Sequence, residues 1–149
     1  MTTDHAHFMR QALNEAQRAF DDDEIPVGAV VVCQNRIIAR AHNQTERLTD
    51  VTAHAEMLAL TAAAHHLGAK YLPDCTLYVT LEPCTMCGGA LYWAQIGTVV
   101  FGANDDKRGY RRWQYQQASI LHPKTKVITN ILADECSQVM QRFFAQKRQ

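Results

Sequence analysis

The spacing of apolar residues along the chain alternates between a helical and a strand-like period, which predicts a succession of helices and strands. Residues 4–20 place apolar side chains on one stripe at the 3.6-residue period, as in an amphipathic helix. Residues 27–33 and 37–42 predict two strands, joined as a hairpin around residues 34–36. The first strand contains an uninterrupted valine run, residues 30–32, which is typical of a strand covered on both faces.

The remainder of the chain continues this alternation. The predicted elements are a helix from Ala53 with Thr52 as its N-cap and Gly68 at its end, a strand over residues 77–81, a helix over residues 85–94 with Pro83 at its entry, strands over residues 98–101 and 126–131, and a final helix capped by Asp134. The strand–helix–strand unit within residues 77–101 is expected to be parallel. The pattern as a whole predicts the α/β class.

Length and composition predict one domain over residues 1–149. The chain has 149 residues, of which 47% are hydrophobic, and this suffices for a core. No apolar run approaches the length of a membrane span, and the N-terminus lacks the shape of a signal peptide. Cys33, Cys75 and Cys136 lie among apolar neighbours and are expected to be buried. This cysteine usage indicates a reducing compartment and therefore a cytoplasmic protein.

The net charge of zero conceals a difference between two parts of the chain. Residues 1–102 carry 6 Lys/Arg and 11 Asp/Glu, whereas residues 103–149 carry 9 and 4. The basic part is a candidate surface for phosphates, and a merely solvated surface is the alternative. Near its start, basic and aromatic residues are interleaved, which suits either a grip on phosphates and bases or simple packing on the domain. These residues are Lys107, Arg108, Tyr110, Arg111, Arg112, Trp113 and Tyr115.

Residues 83–87 are the most informative stretch, because Cys84 and Cys87 are separated by two residues. Thiols three positions apart share a helix face, and this spacing is usual for half of a zinc site. The spacing alone is ambiguous, since redox proteins also use it. Upstream, His54 and Glu56 supply an imidazole and a carboxylate just before an apolar helical run, and this second element favours a metal site.

Together, His54, Cys84 and Cys87 provide three ligands, and Glu56 provides an acid that need not bind the metal. Three protein ligands leave a tetrahedral Zn²⁺ with an open position for water, as in catalytic sites. Bound water ionises near neutral pH, and a carboxylate beside it can carry the proton to a leaving group. This is the chemistry of hydrolytic deamination. Residues two apart on a regular helix do not face each other, so we expect His54 at the very first turn.

His-Ala-Glu followed by Pro-Cys-x-x-Cys resembles the cytidine-deaminase superfamily of zinc enzymes. More of the chain resembles one branch of it, the tRNA-specific adenosine deaminases. The matching segments are residues 24–30, 43, 52–56, 76–89, 99–107 and 131–144. The resemblance implies a three-layer α-β-α fold with a five-stranded mixed sheet, and a homodimer. It also implies conversion of adenosine to inosine at the wobble position of a tRNA anticodon stem-loop, with Zn²⁺ as cofactor.

The same resemblance implies a set of substrate-binding residues. Asn43 stands where the family places an asparagine that hydrogen-bonds to the target nucleotide, although an asparagine at a strand end is usually a turn former. The further candidates are Glu24, Ile25, Pro83, Asp105 and Lys107.

Two other functions fit parts of the pattern. A deaminase of a free base or nucleotide, such as guanine or cytosine, would use the same zinc chemistry. Residues 26–30 together with Phe143 and Phe144 favour the tRNA branch over it. A structural zinc module that binds RNA would need a fourth protein ligand. The remaining cysteines are isolated in the sequence, and Glu56 would have no purpose in such a module.

Overall fold

The computed structural model describes residues 4–113 and 119–148, which form a five-stranded sheet with α-helices on both faces. The elements in chain order are α1 (His5–Asp21), β1 (Gly28–Cys33), β2 (Arg36–His42), α2 (Ala55–Leu67), β3 (Cys75–Leu81), α3 (Thr85–Ala94), β4 (Thr98–Ala103), a 3₁₀ helix (Tyr110–Trp113), β5 (Lys126–Ile128) and α4 (Ala133–Lys147). Within these two stretches, no helix has the length and apolar character needed to cross a membrane.

The sheet is mixed, with the strand order β2-β1-β3-β4-β5. β1 runs antiparallel to both β2 and β3, whereas β3, β4 and β5 are mutually parallel along the sheet. The expected α/β class and five-stranded mixed sheet are confirmed. The turn between β1 and β2 consists of Gln34 and Asn35, whose φ angles are 52° and 63°. Two central residues with positive φ give the turn type whose twist matches a two-residue hairpin.

Neighbouring residues of the central strands point into two different cores. Val30 and Val32 belong to a core with Phe8 and Met9 of α1. Val31 belongs to the other core, which the helices α2 and α3 cover through residues such as Ala59 and Leu91. Cys136 of α4 joins the first core. The valine run is therefore buried on both faces, as its sequence predicts, and the helices form an outer layer on each side of the sheet.

Two predicted helix starts are wrong by a few residues, one of them next to a predicted metal ligand, whereas the predicted helix over residues 85–94 is confirmed as α3. Thr52 does not cap α2, because its hydroxyl and its backbone N–H both donate to Asp50 Oδ1 at 2.7 and 2.8 Å. The helix begins later, with His54 as its N-cap. Pro83 lies outside α3, whose N-cap is Cys84. The shift of α2 moves the predicted ligand His54 from within the predicted helix to the position just before it, which is also the position of Cys84 relative to α3.

The second shift is at the last helix, and the last strand also differs from the prediction. β5 ends at Ile128, because the chain then turns through left-handed backbone at Asn130 (φ 65°) and Leu132 (φ 53°). Leu132 is the N-cap of α4, and the predicted cap Asp134 lies in the first turn instead. A carboxylate in that turn still interacts favourably with the helix dipole.

Candidate metal centre and active-site cavity

Two helix N-termini bring the three predicted metal ligands together. His54 and Cys84 are the N-caps of α2 and α3, both with extended backbone. Cys87 lies in the first turn of α3. His54 Nδ1 is 3.6 Å from Cys84 Sγ and 3.5 Å from Cys87 Sγ, and the donor atoms all lie within 4.8 Å of one another. This group of one nitrogen and two sulfur donors can hold a metal ion.

The electrostatics of the group favour the metal-binding form at Cys84, whereas hydrogen bonding with Cys84 and burial raise the pKa of the Cys87 thiol. Hydrogen bonding with Cys87 and His54 lowers the pKa of the Cys84 thiol to about 4, against the opposing effect of its burial. Hydrogen bonding with Cys84 also raises the pKa of His54. The thiolate, and not the thiol, is the form that binds metals.

Glu56 lies in the first turn of α2 and is only 4% exposed. His54 precedes the helix in extended backbone, so the two-residue spacing does not turn the two side chains apart as it would within a regular helix. Both residues line the same cavity. Burial raises the pKa of Glu56 to about 7. A carboxyl group with such a pKa can take up and release a proton near neutral pH.

An open cavity of about 880 Å³ lies against this group. His54, Glu56 and Cys84 form one part of its lining, and further parts come from residues 103–108, from the segments before β1 and after β2, from the end of β3, and from one side of α4. Ligand pockets commonly enclose roughly 300–1,000 Å³, so a nucleoside fits such a volume.

Four of the six predicted substrate-binding residues line this cavity, namely Asn43, Ile25, Asp105 and Lys107. Asn43 is 6% exposed, and its backbone N–H donates to Val27 O at 3.1 Å. Its side-chain Oδ1 is buried without a hydrogen-bond partner. A buried polar atom without a partner is energetically costly, so this Oδ1 is a candidate acceptor for a ligand in the cavity.

Glu24 and Pro83, the other two predicted substrate-binding residues, lie outside the lining of this cavity. Glu24 is 1% exposed, and its carboxylate accepts the backbone N–H groups of Glu46 and Arg47 at 3.0 and 2.8 Å. It fixes the loop after Asn43 to the segment after α1. Pro83 is buried, and its carbonyl accepts the N–H of Tyr110 at 2.8 Å. Both residues hold neighbouring loops in place.

Helix α4 and its C-cap Arg148 contribute cavity residues that the predicted set of substrate-binding residues does not contain. Ser137, Met140, Gln141, Phe144 and Arg148 all line the cavity. The apolar periodicity of α4 assigns Met140 and Phe144 to a core-facing stripe, but Phe144 is 39% exposed, whereas its neighbour Phe143 is 5% exposed. The sequence signal that could have revealed these cavity residues is the width of the apolar stripe on α4, because the sheet buries only part of that stripe.

The buried carboxylate of Glu82 organises the loop between β4 and the 3₁₀ helix. It accepts the backbone N–H groups of Asp105 and Arg111, each at 3.2 Å, and the Arg111 Nη2 at 2.9 Å. The same Nη2 donates to Asn104 Oδ1 at 2.9 Å. A Cβ atom at Gly109 would lie 2.1 Å from Glu82 Oε2, so the loop passes too close to the carboxylate for any side chain there.

These contacts favour the packing alternative for Arg111, because Nη2 of its guanidinium is engaged within the protein. Arg112 donates to the carbonyl of Asp106 at 3.1 Å and is exposed. Tyr110 is 2% exposed and follows the packing alternative, whereas Trp113 is 51% exposed. Tyr115 lies outside the described residues.

Fold and site together define the class of protein, that of the metal-dependent hydrolytic deaminases. Residues 3–148 match the family model described as MafB19-like deaminase. The chain belongs to this family and, at the level of its curated relatives, to the tRNA-specific adenosine deaminases.

The similarity extends over nearly the whole chain. A tRNA-specific adenosine deaminase of Agrobacterium fabrum is 41% identical over 147 residues, covering 97% of each chain. A solved structure from a study of A-to-I editing by tRNA:A34 deaminases has a TM-score of 0.82 at 42% identity, covering 89% of this chain and 98% of that one. A guanine deaminase of Bacillus subtilis has a TM-score of 0.65 at 40% identity, covering 68% of this chain and 66% of that one.

Proposed function

We propose that this chain is a zinc-dependent deaminase that converts adenosine to inosine at the wobble position of a tRNA anticodon. The observation that carries the proposal is the convergence of His54, Cys84 and Cys87 beside the buried carboxyl of Glu56 on one cavity. The proposed enzyme has a single domain over residues 1–149, works as a homodimer and acts in the cytoplasm.

The spacing of the donor atoms supports zinc as the metal. With Zn–N near 2.1 Å, Zn–S near 2.3 Å and tetrahedral angles, a nitrogen and a sulfur ligand lie about 3.6 Å apart. The distances from His54 Nδ1 to the two sulfur atoms are 3.6 and 3.5 Å. The group of ligand atoms among the described residues contains these three members. Three ligands leave the fourth position for water, as catalytic zinc sites require.

The proposed chemistry divides between the metal and Glu56. When bound, zinc supplies a hydroxide nucleophile at neutral pH. Glu56 accepts the proton released there and delivers it to the amino nitrogen of the base, which leaves as ammonia. A pKa of about 7 suits both halves of this transfer. Asn43 Oδ1 accepts a hydrogen bond from the bound nucleoside and thereby holds it against Glu56.

Two features support a nucleotide within RNA as the substrate. The cavity is open, and Lys107, Arg108 and Arg148 line it, so cations stand where phosphates flanking a target nucleoside would lie. A base in a single-stranded anticodon loop also leaves its stack at a lower cost than a base in a duplex. The tRNA-specific adenosine deaminase of A. fabrum, which is 41% identical and matches 97% of this chain, supports the tRNA branch.

The test is an assay of zinc-loaded protein on an anticodon stem-loop with adenosine at the wobble position. A stem-loop with guanosine at that position is the matched control, and free adenosine, guanine and cytosine are assayed in parallel. Inosine formation confined to the first stem-loop supports the proposal. Turnover of free guanine or cytosine with no inosine in the stem-loop would replace it with the free-base alternative.

A further inference from the structure

Two cysteines outside the metal group are neighbours on adjacent strands of the sheet. Cys33 is the last residue of β1 and Cys75 is the first residue of β3. They are direct partners in the antiparallel register of these strands. Val27 and Leu81, near the opposite ends of the same strands, line the active-site cavity. The cysteine pair therefore lies at the end of the sheet that points away from the active site.

Residue pairs between antiparallel strands are alternately hydrogen-bonded and non-hydrogen-bonded, and the Cα atoms lie closer in the second kind. The backbone contacts of β1 and β3 place Cys33 and Cys75 in the second kind. The N–H of Gly28 points towards β3, where it donates to Thr80 Oγ1. The carbonyl of Val27 points to the opposite side, where it accepts the N–H of Asn43, the residue after β2. The backbone N–H and C=O groups of successive residues point to opposite sides of a strand. The odd-numbered residues of β1, including Cys33, therefore direct these groups towards β2 and not towards β3. The N–H of Cys75 accordingly donates to Leu72 O at 3.2 Å. The two cysteines are thus a non-hydrogen-bonded pair.

This geometry permits a covalent bond between the two sulfur atoms. Residues of a non-hydrogen-bonded antiparallel pair have Cα atoms about 4.5 Å apart, and their side chains leave the sheet on the same face. Disulfides span Cα distances of roughly 4.4–6.8 Å. Bond formation therefore requires adjustment of the side chains and only a small shift of either strand.

The two thiols differ in their access to solvent. Cys33 is half-buried, whereas Cys75 is 2% exposed. Burial, with a smaller effect of the neighbouring Cys33, raises the pKa of Cys75 to about 12. A dissolved oxidant therefore reaches the Cys33 sulfur first, and the buried Cys75 is the neighbouring thiol that can react with the oxidised Cys33. Cys136 is 1% exposed and packs against Gly102, away from this pair.

We propose that Cys33 and Cys75 form a reversible disulfide when the enzyme is exposed to hydrogen peroxide. The Cys33 sulfur attacks one peroxide oxygen, the O–O bond breaks, and Cys33 becomes a sulfenic acid with release of water. The Cys75 sulfur then attacks the sulfenic sulfur, the S–S bond forms, and the hydroxyl leaves with the Cys75 proton as a second water. The two thiols together lose two electrons, and the peroxide gains them. A dithiol reductant reverses the change.

The disulfide would enclose the segment that carries half of the active site. Residues 34–74 contain β2, α2, the ligand His54 and the acid Glu56. Closing this loop restricts the unfolded chain and therefore favours the folded state. The modification is expected to raise the melting temperature of the zinc-loaded enzyme without involving the metal-binding thiols.

The experiment treats the zinc-loaded full chain with equimolar hydrogen peroxide, alkylates the remaining thiols under denaturing conditions, and maps the peptides by mass spectrometry. Zinc content is measured on the same samples. The expected product is one cross-linked peptide pair joining Cys33 to Cys75, lighter by two hydrogens than the separate peptides and reversed by dithiothreitol. The control Cys136→Ser should give the same cross-link, and Cys33→Ser should give none.

The melting temperature provides a second readout that does not depend on peptide recovery. Oxidation should raise it for the wild type and for Cys136→Ser, and should leave Cys33→Ser unchanged. Because Cys33 is half-buried, its serine variant keeps the fold without relying on the buried Cys75. Oxidation of Cys33 to a sulfinic acid with Cys75 still alkylatable would overturn the proposal, as would a dominant cross-link through any other cysteine.

Discussion

The carboxylate of Glu82 accepts hydrogen bonds from both the backbone N–H and the guanidinium of Arg111, at 3.2 and 2.9 Å. Glu82 directly follows β3 and lies two residues before the metal ligand Cys84. Arg111 follows the loop whose residues 104–108 line the cavity. This pair therefore ties a wall of the cavity to the segment that carries the metal ligands.

Replacing Arg111 should weaken this wall and the fold together. Arg111→Met leaves the Glu82 carboxylate buried without its cation, and a hydrogen bond to a charged group contributes about 1.5–3 kcal/mol. Since the Arg111 side chain is 39% exposed, we expect a loss near the lower end of that range. The free energy of unfolding in urea measures it. Arg112→Met, which removes an exposed neighbour, should change that free energy by less than about 0.5 kcal/mol.

The phosphate contacts are expected from Lys107 and Arg108, which line the cavity, and not from the engaged Arg111. Removing one phosphate contact with a single strand reduces the slope of log K against log salt by about 0.7. The double variant Lys107→Gln/Arg108→Gln should therefore bind the anticodon stem-loop more weakly and with a flatter slope. Stem-loop affinity measured across salt concentrations tests this. A slope equal to that of the wild type would remove these residues from the RNA contact surface.

Asn43 should act on the substrate and not on the metal. Asn43→Ala removes the buried Oδ1 that lacks a partner within the protein, and losing one such hydrogen bond to a ligand costs about 1–3 kcal/mol. We expect kcat/KM for the stem-loop to fall by roughly 10–10² at unchanged zinc content. The control is Asn14→Ala, an exposed residue on α1. Equal activity of the two variants would refute a substrate contact at Asn43.

The metal ligands are tested by substitutions of two cysteines in different surroundings. Cys87→Ala should lose bound zinc and all turnover, because thiolates contribute most of the affinity of such a site. Cys33→Ala should retain zinc, because Cys33 lies at the far end of β1. Elemental analysis of both purified variants gives the answer. Full zinc occupancy in Cys87→Ala would exclude this residue as a ligand.

The parts of the site that can be predicted from the sequence are those in which chemistry and short spacing coincide. His54 with Glu56, and Cys84 with Cys87, lie within a few residues of each other, so local backbone alone brings each pair together. The predicted cap at Thr52 is wrong because Asp50 competes for its hydroxyl, and spacing does not reveal which partner is preferred.

The contacts of Arg111 and Glu24 cannot be predicted from the sequence for a different reason. Arg111 contacts a carboxylate 29 positions away, and Glu24 folds back onto amides 22 and 23 positions away. Such contacts depend on how loops cross in the folded chain, which periodicity and composition do not encode. The contribution of α4 to the cavity escapes prediction for the same reason.

The central claim is that Glu56 moves the proton during deamination while His54, Cys84 and Cys87 hold the zinc. Glu56→Gln keeps the shape of the side chain but removes its ability to exchange a proton. The direct measurement is single-turnover inosine formation on the anticodon stem-loop, with zinc content determined on the same preparation. We predict full zinc occupancy and a rate lower by at least about 10²–10⁴. Near-normal inosine formation, or loss of zinc from this variant, would contradict the role assigned to Glu56.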